Sequence, residues 1–111
     1  MALRLASMRN LPLMPALPRP VYQSGEGPRF DADQAVIIAG TVQPLASQTE
    51  AAVYGERAKR MLLLLTSPDA PLAEGMGLCV DTLMEDGCDY RIAAPPERWR
   101  THQRAVLERV W

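Results

Sequence analysis

The residues able to do chemistry are few, and their spacing suits little of it. The chain has one histidine, His102, and two cysteines, Cys79 and Cys88. Only His102 has an ordinary pKa near neutrality. It stands among Arg98, Arg100 and Arg104, whose charges disfavour its protonation. A lone histidine in a basic stretch reads as an interface or phosphate contact before it reads as a general base. Eight residues separate the cysteines, a spacing that fits neither a zinc ribbon nor a thioredoxin motif. Two reduced, half-buried thiols are expected, with a local disulfide as the alternative. Glu85, Asp86 and Asp89 lack the Asp-x-Asp-x-Asp-Gly rhythm of a calcium loop, so a solvated turn is expected there. No phosphate-binding loop, dinucleotide fingerprint, zinc-protease motif or nucleophile elbow occurs. The residues therefore point to no enzyme, no cofactor and no metal.

Charge is unevenly spread. The formal net charge of -1 argues against free-standing nucleic-acid binding. It hides a chain that is basic over residues 1–30, carries six acids and no base over 61–89, and is basic again over 90–111. The acidic block of one copy could meet the basic end of another, or both could be solvated faces. With 11 arginines against one lysine, the cluster Arg98, Trp99, Arg100, His102 and Arg104 reads as a protein interface in preference to a phosphate-binding patch.

The elements that must position these residues are short. At 111 residues the chain is one domain, and 48% apolar content excludes disorder by composition. The longest apolar runs fall far short of the ~20 residues of a membrane span. The opening MALRLASMRNLPLMPALPRP has the composition of a transit peptide, but Pro12, Pro15, Pro18 and Pro20 interrupt any helix. Residues 1–20 are expected to form an extended arm. Its Leu11, Leu13, Met14 and Leu17 would lie against its own domain or, as interface residues, against a neighbouring subunit.

The β-branched stretch Ala35 to Leu45 reads as a strand with a bulge or bend at Gly40. Ser47 to Glu50 has the form of a capping box, and Gly55 suits the residue after a helix. A helix of about two turns is one reading; a helix continuing to Leu65 is the other. Met61 to Leu65 also fits a buried strand closed by Pro68. Residues 75–81 and 88–93 read as a strand pair around a turn at Glu85-Asp86-Gly87. After Pro95-Pro96 the C-terminal stretch satisfies both helical and strand periodicity.

The order of these features resembles the small head-completion proteins of tailed bacteriophages, also called head-closure or head–tail connector proteins and often found as minor capsid proteins. The matching residues are Pro20-Val21-Tyr22 before a Gly-rich loop, Gly40-Thr41-Val42-Gln43-Pro44, Ser47 to Glu50, and Tyr54-Gly55-Glu56-Arg57. A strand ending at Pro68, Gly75 before a short strand, Asp89-Tyr90-Arg91-Ile92, Trp99 and His102 follow. The resemblance covers roughly residues 20–111, and its weight lies in the collinear order.

The resemblance implies a mainly β fold: a small β-barrel or sandwich over residues 21–111 with one short α-helix. It favours the short-helix-then-strand reading of residues 48–66 and a C-terminal strand. It implies a structural virion protein, made in the host bacterial cytoplasm and placed in the phage neck, without enzymatic activity, cofactor or membrane contact. The partners implied are copies of itself in a ring, portal and adaptor proteins above, tail terminator or tail tube proteins below, and genomic DNA passing through without sequence-specific contacts. If the acidic block faces that channel, Glu85, Asp86 and Asp89 would repel DNA from its wall. The rival readings are a tail-terminator or tail-completion ring, and a small cytosolic module contacting nucleic acid or protein through its arginine-rich end.

Overall fold

The computed structural model describes residues 9–16, 30–47 and 51–110. Among these residues seven strands form: β1 Arg9–Met14, β2 Val36–Pro44, β3 Met61–Thr66, β4 Gly77–Leu78, β5 Tyr90–Ile92, β6 Glu97–Arg98 and β7 Gln103–Arg109. All the pairings are antiparallel. The order β3-β2-β1-β4-β5-β7 returns on itself through a β3–β7 pairing, so six strands close a barrel. β6 is the extra strand, lying along β7 beyond the end of β5. The fold is therefore mainly β, as the resemblance implies, and it is the barrel of the two forms.

Closure depends on β2 serving two neighbours in succession. Residues 36–40 pair with β1 and residues 40–44 with β3, so Gly40 has Arg9 on one side and Thr66 on the other. A Cβ at Gly40 would stand 2.9 Å from both the Leu65 carbonyl oxygen and Leu64 Cδ1. The strand changes partners where only hydrogen fits, and its one-to-one register with β1 and β3 holds no bulge there.

The interior is aliphatic. Leu11 and Leu13 of β1, Ile38 of β2, Leu64 of β3, Leu78 of β4, Ile92 of β5, and Ala105 and Leu107 of β7 pack into one cluster. Along β7 the alternation is clean: Gln103, Ala105 and Leu107 are buried between the less buried Arg104, Val106 and Glu108. β3 is apolar on both faces because both are covered. Leu62 and Leu64 belong to the barrel interior, while Met61 and Leu63 pack outside it with Leu45, Tyr54 and Val106.

The helix supplies that outer cover. It is α-helical over Ala51–Tyr54 and tightens to a 3-10 helix over Gly55–Arg60 before β3 starts. Gly55 has φ of 57°, the left-handed conformation expected of the residue after the α-helical turn. The short helix followed by a strand is thus the correct alternative for residues 51–66. The capping box extends into residues 48–50, which lie outside the described residues.

The N-terminal arm needs correction. β1 lies between β2 and β4 in the barrel wall, so the boundary drawn at residue 20 cuts off an internal strand. Leu11, Leu13 and Met14 are each only 1% exposed and fill this chain's own core, so they cannot be contacts with a neighbour. Leu17 lies outside the described residues. Proline misled the reading because Pro12 is tolerated here. Its carbonyl accepts from the Cys79 N–H at 3.0 Å, and having no N–H it returns no bond, so the ladder with two-residue β4 goes no further.

Candidate interaction surfaces

The C-terminal basic cluster is the tip of the β6–β7 hairpin. The Trp99 N–H donates to the His102 carbonyl at 2.8 Å, closing a turn over residues 99–102. The indole and imidazole rings stack with centroids 4.8 Å apart, and the Arg104 guanidinium lies 5.8 Å from the indole centroid. Two of the arginines serve the fold as well. Arg98 donates to Gln103 Oε1 at 2.9 Å and to the Ala70 carbonyl at 3.4 Å. Arg104 pairs with Glu97 at 3.4 Å. Arg100 and Trp99 are exposed. His102 Nδ1 stands 3.1 Å from Thr101 Oγ1, so its described contacts are an aromatic face and a hydroxyl.

Beneath the tip, Gln103 is fully buried and binds with both ends of its amide. Its nitrogen donates to the Ser67 and Ala70 carbonyls at 3.2 and 2.9 Å while its oxygen receives Arg98. This fastens the loop after β3 to the hairpin. Beside it lies an open hollow of about 480 Å³ lined by Leu72, Ala73, Glu74, Pro95, Pro96 and Arg98. It forms where residues 94–96 leave the ladder along β7, a detour that Pro95 and Pro96 favour.

The acidic segment forms the connection from β4 to β5. Asp81 and Asp86 are exposed, and between them Leu83 is 64% and Met84 42% exposed. Asp89 does not belong to that surface, which corrects its assignment as a channel-facing acid. It is 1% exposed, and its two carboxylate oxygens accept the Val80 and Asp81 N–H groups at 2.8 and 2.9 Å. A carboxylate that accepts two neighbouring backbone N–H groups anchors its own loop, a role that the run of acids in the sequence conceals. The Glu85 side chain lies outside the described residues.

This loop is held to the barrel by β1. Arg9 donates to the Val80 carbonyl and pairs with Asp81 at 3.6 Å. Part of the attraction between basic and acidic blocks is therefore satisfied within one chain. β1 and β7 lie three strand steps apart in either direction around the ring. The acidic loop nevertheless runs into β5 at Tyr90, which pairs with Arg109 at the end of β7, while the basic hairpin enters β7 at Gln103, so the two lie toward opposite ends of β7.

Cys79 and Cys88 are free thiols, buried where half-burial was expected. Burial pushes the Cys88 thiol pKa strongly upward, and its neighbour Cys79 adds to the effect. Among the described residues no group of three or more His, Cys, Asp or Glu side chains could hold a metal ion, and no helix is long and apolar enough to cross a membrane. No protein-family model, curated protein or solved structure matches this chain.

Proposed function

We propose that this chain is a structural subunit of the tailed-bacteriophage neck, a head-closure or head–tail connector protein. It assembles as a ring beneath the portal and adaptor, seals the filled capsid and presents a docking surface to the tail. One observation carries the reading: a closed barrel bears an acidic, apolar loop and a basic, aromatic hairpin toward opposite ends of β7. Subunits of a ring meet through heterologous contacts, which require two different and complementary surfaces on each copy. Leu83 and Met84 supply apolar area beside Asp81 and Asp86; Trp99 and Arg100 supply an aromatic and a cation. The hollow beside Arg98 gives an aliphatic side chain somewhere to insert. Barrel closure leaves little free strand edge, so neighbours are added through loops. The collinear order of motifs over residues 20–111 and the small barrel with one short helix also favour the connector family.

In this role the chain carries out no reaction. Its partners are its own copies, the portal and adaptor above, and the tail terminator or tail tube below, while DNA passes without sequence-specific contacts. Like-charge repulsion at Asp86 would keep DNA from adhering wherever that loop borders the channel.

The test is assembly of particles with and without this chain. Filled heads lacking it should lose DNA and carry no tails, and adding the purified protein should restore both. Retention of DNA and normal tail attachment in its absence would overturn the reading. Binding to tail tubes but not to the portal–adaptor assembly would place the chain one ring lower, as a tail terminator. A salt-dependent DNA shift by the purified monomer at physiological ionic strength would replace the structural role with nucleic-acid binding.

A further inference from the structure

Cys79 and Cys88 have no part in the proposed assembly, yet their sulfurs are in contact. The Sγ atoms lie 3.7 Å apart, and Cys88 Sγ is 3.5 Å from Met14 Sδ. The three side chains form a small cluster of their own, packed against Phe30 and Ala35. The backbone on both sides is already held in place. The Cys79 N–H is bonded to Pro12. Asp89, next to Cys88, takes the N–H groups of Val80 and Asp81. Thr82 Oγ1 donates to the Gly87 carbonyl at 2.7 Å. A disulfide needs its sulfurs about 2.05 Å apart, so the two must close in from contact distance.

We propose that Cys79 and Cys88 are a redox modification site, oxidised by a small-molecule disulfide of the glutathione class to an intramolecular bond that staples the β4–β5 loop. One protein thiol loses its proton, and its sulfur attacks the small disulfide, releasing one small thiol. The second protein sulfur then attacks the mixed disulfide and releases the other. Two protein S–H bonds and one S–S bond of the oxidant become one protein S–S bond and two small-molecule S–H bonds. The product is neutral and apolar, which suits a site walled by Met14, Phe30 and Ala35. A buried, protonated thiol is a poor nucleophile, so exchange proceeds through opening of the loop and quickens as pH rises. The bond stiffens the segment that carries Leu83 and Met84, and the inference does not depend on the neck reading.

The experiment incubates the folded full chain with oxidised glutathione, then denatures it and alkylates free thiols. Alkylation should fall from two labels per chain to none. The product should be a monomer two hydrogens lighter, with a higher melting temperature. The Cys79→Ala and Cys88→Ala variants should stop at a single free or glutathionylated thiol. Two labels persisting on the folded chain, while the unfolded chain oxidises under the same conditions, would overturn the proposal. So would a lasting glutathione adduct on the unsubstituted protein, or bonds formed only between chains. The measurements on the unsubstituted protein decide the matter even where a variant does not fold.

Discussion

Arg57 and Glu108 face each other in a two-pronged ion pair. Arg57 Nε donates to Glu108 Oε2 and Arg57 Nη2 to Oε1, each at 2.9 Å. The pair ties the short helix to β7, and Arg91 of β5 reaches the same carboxylate at 3.2 Å. Glu108 therefore joins three elements from the outside of the barrel. Its carboxyl pKa lies below the ordinary 4.5, chiefly because the ionised form accepts the Arg57 hydrogen bonds.

The pH dependence has a definite sign. A carboxyl whose pKa falls on folding stabilises the native state above its unfolded value, and that contribution is lost as pH drops through the folded value. Glu108→Gln should melt modestly lower than the unsubstituted protein at pH 7, since both cations lie partly in solvent. The difference should shrink as pH falls below about 4.5, the ordinary value. Thermal melts across pH 3–7 check this; a gap that stays constant through the acid range contradicts it.

Asp89 gives a larger effect with a local signature. Asp89→Asn retains one carbonyl acceptor for the buried Val80 N–H and the half-buried Asp81 N–H, and sets an amide against one of them. The expected cost is about 1–3 kcal/mol for the unsatisfied donor. Amide exchange at Val80 and Asp81 should accelerate more than at Leu64 and Leu107, while Asp86→Asn, on the exposed side of the loop, should leave both unchanged. Equal effects of the two substitutions would remove Asp89 from its role as loop anchor.

Residues of β1 should behave as core. Leu13→Ala should destabilise by about 2–5 kcal/mol, as large-to-small changes at closed sites do. Leu83→Ala should stay within about 0.5 kcal/mol of the unsubstituted protein. Denaturant melts of the two variants separate a wall strand from a detachable arm; a stable, folded chain lacking residues 1–14 would show the arm reading to be right.

Gly40 should resist even a methyl group. Gly40→Ala sets a Cβ 2.9 Å from the Leu65 carbonyl, a backbone atom that cannot turn aside. A loss of about 1–3 kcal/mol is expected from the overpacking. A melting temperature unchanged by this substitution would contradict the close approach of the Leu65 carbonyl to this position.

Most elements were legible because their signals are local. β-branched residues marked β2, Gly55 marked the end of the α-helical turn, and turn residues around Gly87 marked the β4–β5 connection. The ambiguous stretches were those whose local pattern serves two structures equally. Met61 to Leu65 is apolar throughout, and only the helix on one face and the barrel on the other explain why a strand there needs no alternation. The surfaces were legible in part. Trp99, Arg100, Leu83 and Met84 do lie outside, though Leu83 and Met84 were not singled out in the sequence; they follow from the exposed turn that the acids announce. Leu11, Leu13 and Met14 read as a sticky arm because proline spacing is visible in sequence and a partner strand is not.

The order of residues by itself determined the strand β2, the turn around Gly87, and the separation of acidic and basic segments. These depend on backbone preference and on charge, which each residue carries with it. Only the tertiary structure decided that β1 is a wall of the barrel, that Asp89 is an anchor inside its loop, and that two sulfurs with eight residues between them touch. Those outcomes depend on which distant segments pair, and burial reverses what a side chain would do in water.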